Sequence, residues 1–205
     1  MTEISYVVVG DSSRTEDALN LAEDLGASLA LDKDRRWGPG VNHMRAWILG
    51  NTSECDWIVV VEDDAILCTD FLLHAEKALE DAPTPLVSFY LGTNYPSHLA
   101  RKAKELVEHA EKYHLEWVKL YTLNHAVCVA IQQTHVDDML DYVSKLKKRP
   151  IDEAITEWAQ RRRIEASYPT VSLVDHRDET PVIQQQERSD TTARTLPRRA
   201  LRFRG

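Results

Sequence analysis

The chain has 205 residues, enough for one domain with a substantial core, and its 43% hydrophobic and 28% charged residues are ordinary for a soluble globular protein. No apolar run approaches the roughly 18 residues that cross a bilayer. Met1-Thr2-Glu3 leads straight into a strand pattern, not a signal peptide, so the expectation is a cytoplasmic protein without a membrane partner. The net charge of −8 is uneven: residues 184–205 hold six arginines against Glu187 and Asp190, a net +4, which leaves −12 on residues 1–183. Such a division sends any polyanion to the tail and away from the body.

Cys55, Cys68 and Cys128 are odd in number, widely spaced and lack a CxxC pattern, so they read as reduced thiols. Cys68 and Cys128 lie in apolar surroundings that suit core filling.

Ile4 to Val9 is an apolar, β-branched run and predicts a buried strand. Ser13 and Glu16 form a capping-box pattern for the helix that follows, with Ala18, Leu21, Ala22 and Leu25 on one face and Gly26 as its stop. Ser28 to Leu31 predicts a second strand. Pro39 opens a helix over Val41 to Leu49, with Val41, Met44, Ile48 and Trp47 inward.

Trp57 to Val61 predicts a strand buried on both faces, and it runs directly into Glu62-Asp63-Asp64. Asp70 caps a helix to Leu79, with Leu72, Ala75 and Leu79 inward. Leu86 to Leu91 predicts a fourth strand. Further on come a helix over His98 to Tyr113, strands over Trp117 to Leu123 and Ala126 to Ile131, helices from Thr134 to Leu146 and Ile151 to Arg161, and a strand over Thr170 to Val174. The opening β-α-β-α-β-α-β alternation predicts an α/β fold: a mostly parallel central sheet with helices on both faces. Residues 1–180 form this domain, and 181–205 read as a basic arm or disordered tail.

Three acids do not belong inside a buried strand, so Glu62, Asp63 and Asp64 are expected where the strand leaves the sheet, at the edge that binds ligands in open α/β sheets. Hard oxygen donors there suit Mg²⁺ or Mn²⁺ serving a phosphate-bearing substrate. A solvated acidic turn is the bland alternative. In extended chain Glu62 and Asp64 share one side and Asp63 faces the other.

Three other places carry candidate chemistry. Gly10-Asp11-Ser12-Ser13-Arg14 enters a helix and offers backbone N–H groups to an anion, or is simply a capped turn. It lacks the glycine patterns of dinucleotide-binding and P-loop proteins. Arg36, Asn42, His43 and Arg45 surround Gly38 and Gly40 in a manner fit for a diphosphate or ribose, or they belong to a surface loop over a buried Trp37. Asp152 and Glu153 open a late helix, where Asp152 is a candidate general base or an ordinary first-turn acid. His176 is a candidate ligand to the same metal or a structural histidine.

Four segments in this order resemble GT-A fold glycosyltransferases, in particular family 25, the lipopolysaccharide and collagen galactosyltransferase type. They are Gly38-Pro39-Gly40-Val41-Asn42-His43-Met44-Arg45-Ala46-Trp47, Val61-Glu62-Asp63-Asp64-Ala65, Pro150-Ile151-Asp152-Glu153-Ala154-Ile155 and Ser172-Leu173-Val174-Asp175-His176. The resemblance covers about residues 4–180 and is also to small bacteriophage enzymes of this kind. It implies a nucleotide-sugar donor, usually a UDP-sugar, a Mn²⁺ or Mg²⁺ cofactor held through the diphosphate, and inversion by a carboxylate base.

On that reading Asp64, Glu62 and His176 hold the metal. Gly10, Asp11, Ser12, Arg14, Arg36, Asn42, Arg45, Glu62 and Asp63 meet the donor, and Asp152, with Glu153 as second choice, is the base. The acceptor is a modified DNA base, a glycan or a virion protein. Arg198, Arg199, Arg202 and Phe203 are the candidate contacts for a DNA acceptor, unless the arm packs on its own acidic body. The rival function is a nucleic-acid-binding or scaffold protein with a degenerate glycosyltransferase fold. A rival enzyme class is a metal-dependent nucleotidyltransferase or phosphohydrolase.

Overall fold

The computed structural model describes residues 2–93, 97–146, 149–177 and 198–205. Among the described residues, nine strands and six helices follow in the order β1 (Ile4–Asp11), α1 (Thr15–Leu25), β2 (Ser28–Asp32), α2 (Gly38–Gly50), β3 (Trp57–Glu62), β4 (Ala65–Leu67), α3 (Phe71–Glu80), β5 (Leu86–Ser88), α4 (Ser97–Lys112), β6 (Trp117–Leu120), β7 (Cys128–Gln132), α5 (Gln133–Ser144), α6 (Ile151–Arg162), β8 (Ala166–Pro169) and β9 (Val174–His176). A seven-stranded sheet has the order β2-β1-β3-β7-β5-β8-β6, and β4 and β9 form a separate pair. The pairings make β1, β2, β3, β5 and β8 run one way and β6 and β7 the other, so the sheet is mostly parallel by strand direction.

Alternation along the strands divides the core into two layers. Val7, Val9, Ile58 and Val60 face α2, α4, α5 and α6, while Val8, Val59 and Val61 face α1 and α3. Trp47 of α2 and Trp158 of α6 are fully buried in the first layer. Each such side chain gains on the order of 2–3 kcal/mol from leaving water. Cys68 and Cys128 are buried thiols of the second layer.

Several local expectations change. The inward face of α2 is Asn42, His43, Ala46, Trp47 and Gly50, and Val41 and Ile48 are exposed. The reason lies at Gly50, where an added Cβ would meet Ile58 Cγ2 at 2.7 Å and Val7 Cγ2 at 2.8 Å. That close approach rolls the glycine face onto the sheet and turns Val41 outward. Trp37 is exposed as well. Leu72 is exposed, because Phe71, Ala75 and Leu79 supply the inward stripe of α3.

Asp70 adopts left-handed backbone and makes no side-chain cap. Ser13 makes no capping box; a short 3-10 turn over Ser12–Arg14 precedes α1, and Asp11 accepts from Ser13 N. Gly26 ends α1 in the left-handed conformation, with φ 59°. Of the strand expected over Thr170 to Val174, only Val174 lies in a strand; residues 170–173 link β8 to β9. The boundary expected at residue 180, together with Gln184 to Gln186, Arg188, Arg194 and Leu196, lies outside the described residues.

Candidate metal centre

Glu62 is the last residue of β3, and Asp63 and Asp64 turn away from the sheet before β4 begins at Ala65. The β4–β9 register pairs Ala65 with His176, which sets the imidazole beside Asp64. Arg177 N donates to Asp64 O at 2.9 Å and fixes the same junction. One donor atom each from Glu62, Asp64 and His176 lie within 4.8 Å of one another. His176 Nε2 stands 3.4 Å from Asp64 Oδ2, and Asp64 Oδ1 is buried without a hydrogen-bond partner. An orphaned carboxylate oxygen on a residue clustered with two further donors fits a divalent cation, which would supply the missing contact.

The side chains around the three donors hold them apart in role. His43, from the buried face of α2, donates Nε2–H to Glu62 Oε1 at 3.0 Å. Arg14 Nη1 bridges Asp63 Oδ1 at 3.0 Å and Asp64 Oδ2 at 2.7 Å. Asp63 Oδ2 accepts Asp11 N at 2.8 Å, so Asp63 ties the ends of β1 and β3 together.

These partners set the electrostatics. Burial, then the charges of Glu62 and Asp63, push the Asp64 carboxyl up to about 7 against the pull of Arg14. Burial also lifts Asp63, against its bonds from Asp11 and Arg14. Burial alone would raise Glu62, but the bond from His43 and the charges of His43, His176 and His125 hold it below the ordinary carboxylate value. The centre thus contains one well-ionised carboxylate and one that a cation would deprotonate.

Asp152 sits in the first turn of α6. Burial, together with the nearby charges of Glu62 and Glu153, raises it to about 6 against the bond from the Glu153 amide. Glu153 is exposed. Asp152 is therefore in the field of the centre.

The other expected donor contacts fall into two groups. Asp11 Oδ1 accepts from the Ser13 amide and hydroxyl and from Arg35, while Ser12 Oγ accepts from Arg35. Both lie at the carboxyl edge beside Arg14. Gly10 and Asn42 serve the framework instead. A Cβ on Gly10 would meet Ala18 Cβ at 2.7 Å, and the Asn42 amide donates to Gly10 O at 3.0 Å and Ala30 O at 2.9 Å. Arg45 donates to Asn42 Oδ1, and the guanidiniums of Arg36 and Arg45 lie 5.0 and 5.3 Å from the exposed Trp37 ring.

The arginine tail meets the body. Arg199 pairs with Asp175 at 3.2 Å, Arg202 pairs with Glu111, and Phe203 bridges Ser172. The reading of an arm whose arginines meet its own acids describes Arg199 and Arg202.

Two groups near the centre escaped the sequence reading. His125 has φ 77° and packs its ring edge on Tyr90 at 5.7 Å. Tyr90 is buried, its hydroxyl lacks a hydrogen bond, and burial followed by the charge of Asp175 pushes its phenol up. The missed signal is strand direction. β7 opposes β3, so the residues just before Cys128 must arrive at the end of β3 that bears Glu62. A surface hollow lined by Tyr121, Gln160, Arg163 and Glu165 contains none of these groups.

No protein-family model matches the chain, and no curated protein matches it. Among solved structures it is similar to A197 from STIV, with 9% identity over 84% of this chain and 85% of that one and a TM-score of 0.48. It is also similar to a mutant of Drosophila β-1,4-galactosyltransferase 7 in complex with manganese, UDP-Gal and xylobiose, with 10% identity over 93% of this chain and 79% of that one and a TM-score of 0.47. Likenesses of this extent carry no argument about activity, and the functional reading rests on the centre itself. No helix among the described residues is long and apolar enough to cross a membrane.

Proposed function

We propose that the chain is a metal-dependent glycosyltransferase that moves a sugar from a nucleotide-sugar, with a UDP-sugar as the first candidate, to an acceptor hydroxyl with inversion. The observation that carries this reading is the convergence of Glu62, Asp64 and His176 at the carboxyl end of β3, with Asp64 Oδ1 buried and unbonded. In an open α/β sheet that edge is where ligands lie. The four family-like segments supply most of the residues gathered there.

Glu62, Asp64 and His176 would hold the cation, and an imidazole among the donors suits Mn²⁺ better than Mg²⁺. The bound ion supplies charge neutralisation to a departing nucleoside diphosphate. The chain does the rest. His43 keeps Glu62 ionised and aimed, and Arg14 offsets the paired charges of Asp63 and Asp64. Asp152, with a pKa of about 6, is mostly ionised at neutral pH and can take the proton of an acceptor hydroxyl. Inversion at the anomeric carbon, with a carboxylate base, is what the family resemblance implies for this site. A DNA acceptor is not part of the proposal: Arg199 and Arg202 pair with Asp175 and Glu111.

The test is mass spectrometry of a nucleotide-sugar panel incubated with the protein, Mn²⁺ and candidate acceptors. The expected result is Mn²⁺-dependent loss of sugar from one donor class, abolished by Asp64→Ala. Turnover unaffected by that substitution, or no turnover of any donor, contradicts the proposal.

A further inference from the structure

We infer that the 198–205 segment is a working part of the centre: it positions His176 for the cation by gripping Asp175 on the opposite face of β9. This inference rests on the cation reading above.

His176 stands on a strand of only three residues, whose sheet partner is the equally short β4. A two-stranded ribbon of that length is not stable alone. Its other supports therefore decide where the imidazole sits. From the body, Leu173 N and Val174 N donate to Phe89 O, and Cys68 N donates to Leu173 O. From the other side comes the 198–205 segment. Ala200 N donates to Asp175 Oδ1 at 2.7 Å, and Arg199 Nη1 donates to Asp175 Oδ2 at 3.2 Å. The His176 amide shares Asp175 Oδ1 at 2.9 Å.

Side chains alternate along a strand, so Asp175 and His176 point to opposite faces of β9. A one-residue slip would exchange them. Pinning the Asp175 carboxylate to the segment's backbone and guanidinium therefore fixes the imidazole on the Asp64 side. Asp175 and Arg199 are positioning residues in this sense.

The segment can grip because it is held itself. Thr93 N donates to Arg199 O and Leu201 N donates to Leu91 O, while Ser172 N and Ser172 O bond to Arg202 O and Arg204 N. Leu201 and Phe203 pack on the two core layers, and Arg202 is tied to Glu111 of α4. The positive charge of this part of the tail is thereby turned to the site's own framework. Partners that bond a ligating histidine's ring change metal affinity by about 10–100-fold, and here the orienting contact is to the His176 backbone amide.

The test compares full-length wild type with Asp175→Ala, Asp175→Asn and a deletion of residues 198–205. Amide hydrogen exchange is read on EDTA-treated protein, and Mn²⁺ affinity is read by calorimetry. Asparagine keeps an acceptor for the Ala200 and His176 amides but puts an amide donor where Oδ2 accepts from Arg199, so it loses that bond together with the charge. Asp175→Ala and the deletion are expected to speed exchange across residues 173–177 at least about tenfold and to weaken Mn²⁺ by about 10–100-fold, with residues 57–62 as protected as in wild type. Asp175→Asn, which keeps the Ala200 contact and loses the Arg199 contact, is expected to fall between wild type and Asp175→Ala in both properties. Wild-type exchange at 173–177 and wild-type Mn²⁺ affinity in Asp175→Ala overturn the inference, as does an Asn variant as impaired as the Ala variant. Failure of the cation reading is distinct: wild type itself then binds no Mn²⁺, while faster exchange at 173–177 in Asp175→Ala still assigns the placement of His176 to the segment.

Discussion

Replacing Asp64 with asparagine is expected to make the metal-free protein more stable at neutral pH. Burial and the charges of Glu62 and Asp63 raise the Asp64 pKa from 3.8 to about 7 in the folded chain. The folded state therefore holds the Asp64 proton more tightly than the unfolded state does. Stability is fully present below the unfolded pKa near 4 and is lost as pH rises towards 7. A shift of about 3 units, at about 1.36 kcal/mol each, corresponds to about 4 kcal/mol lost by pH 8 and roughly 1.5 kcal/mol lost by pH 5. The asparagine does not ionise and escapes this cost, and Arg14 keeps its second carboxylate, Asp63, at 3.0 Å. The assay is urea unfolding of both proteins in EDTA at pH 5 and pH 8. With m near 1–3 kcal/mol per molar, the variant's midpoint should exceed that of wild type by about 1–2 M or more at pH 8 and by clearly less at pH 5. A variant less stable than wild type at pH 8, or a difference independent of pH, refutes the electrostatic account of the centre.

Asp152→Asn should keep donor binding and lose transfer by roughly 10²–10⁴-fold. The wild-type rate should rise as Asp152 ionises through pH 6 and level off above it; a rate flat from pH 5 to 8 removes Asp152 as the base. His43→Ala frees Glu62 from its 3.0 Å partner and should weaken Mn²⁺ by about 10–100-fold, whereas unchanged affinity leaves His43 as packing alone. Gly10→Ala places a methyl 2.7 Å from Ala18 Cβ and should cost about 1–3 kcal/mol in urea unfolding; full stability there means α1 can shift at no cost.

Most of the fold was legible because β3 is an unbroken apolar run and β1 an apolar run interrupted at Ser5, both ending in polar residues, and because Gly26 and Pro39 punctuate the chain. The acids at the end of β3 were legible for the same reason: a buried strand cannot contain them. The facing of α2 was not, since its buried side holds Asn42, His43 and Gly50, and hydropathy marks none of them as inward. Close backbone approach at Gly50 and hydrogen bonds from Asn42 outweigh the apolar stripe of Val41 and Ile48. The β4–β9 pair was hidden because three-residue strands carry too little pattern to read. His125 was hidden because its place depends on the direction of β7. The tail's charge was legible, but its partners Asp175 and Glu111 lie far away in sequence.

The most direct test of the central claim is a Mn²⁺ titration of EDTA-treated protein followed by electron paramagnetic resonance, which reads free Mn²⁺. The account predicts one saturable site per chain in wild type, lost in Asp64→Ala and strongly weakened in His176→Ala. Absence of a saturable site in wild type, or the same site undiminished in both variants, would contradict it.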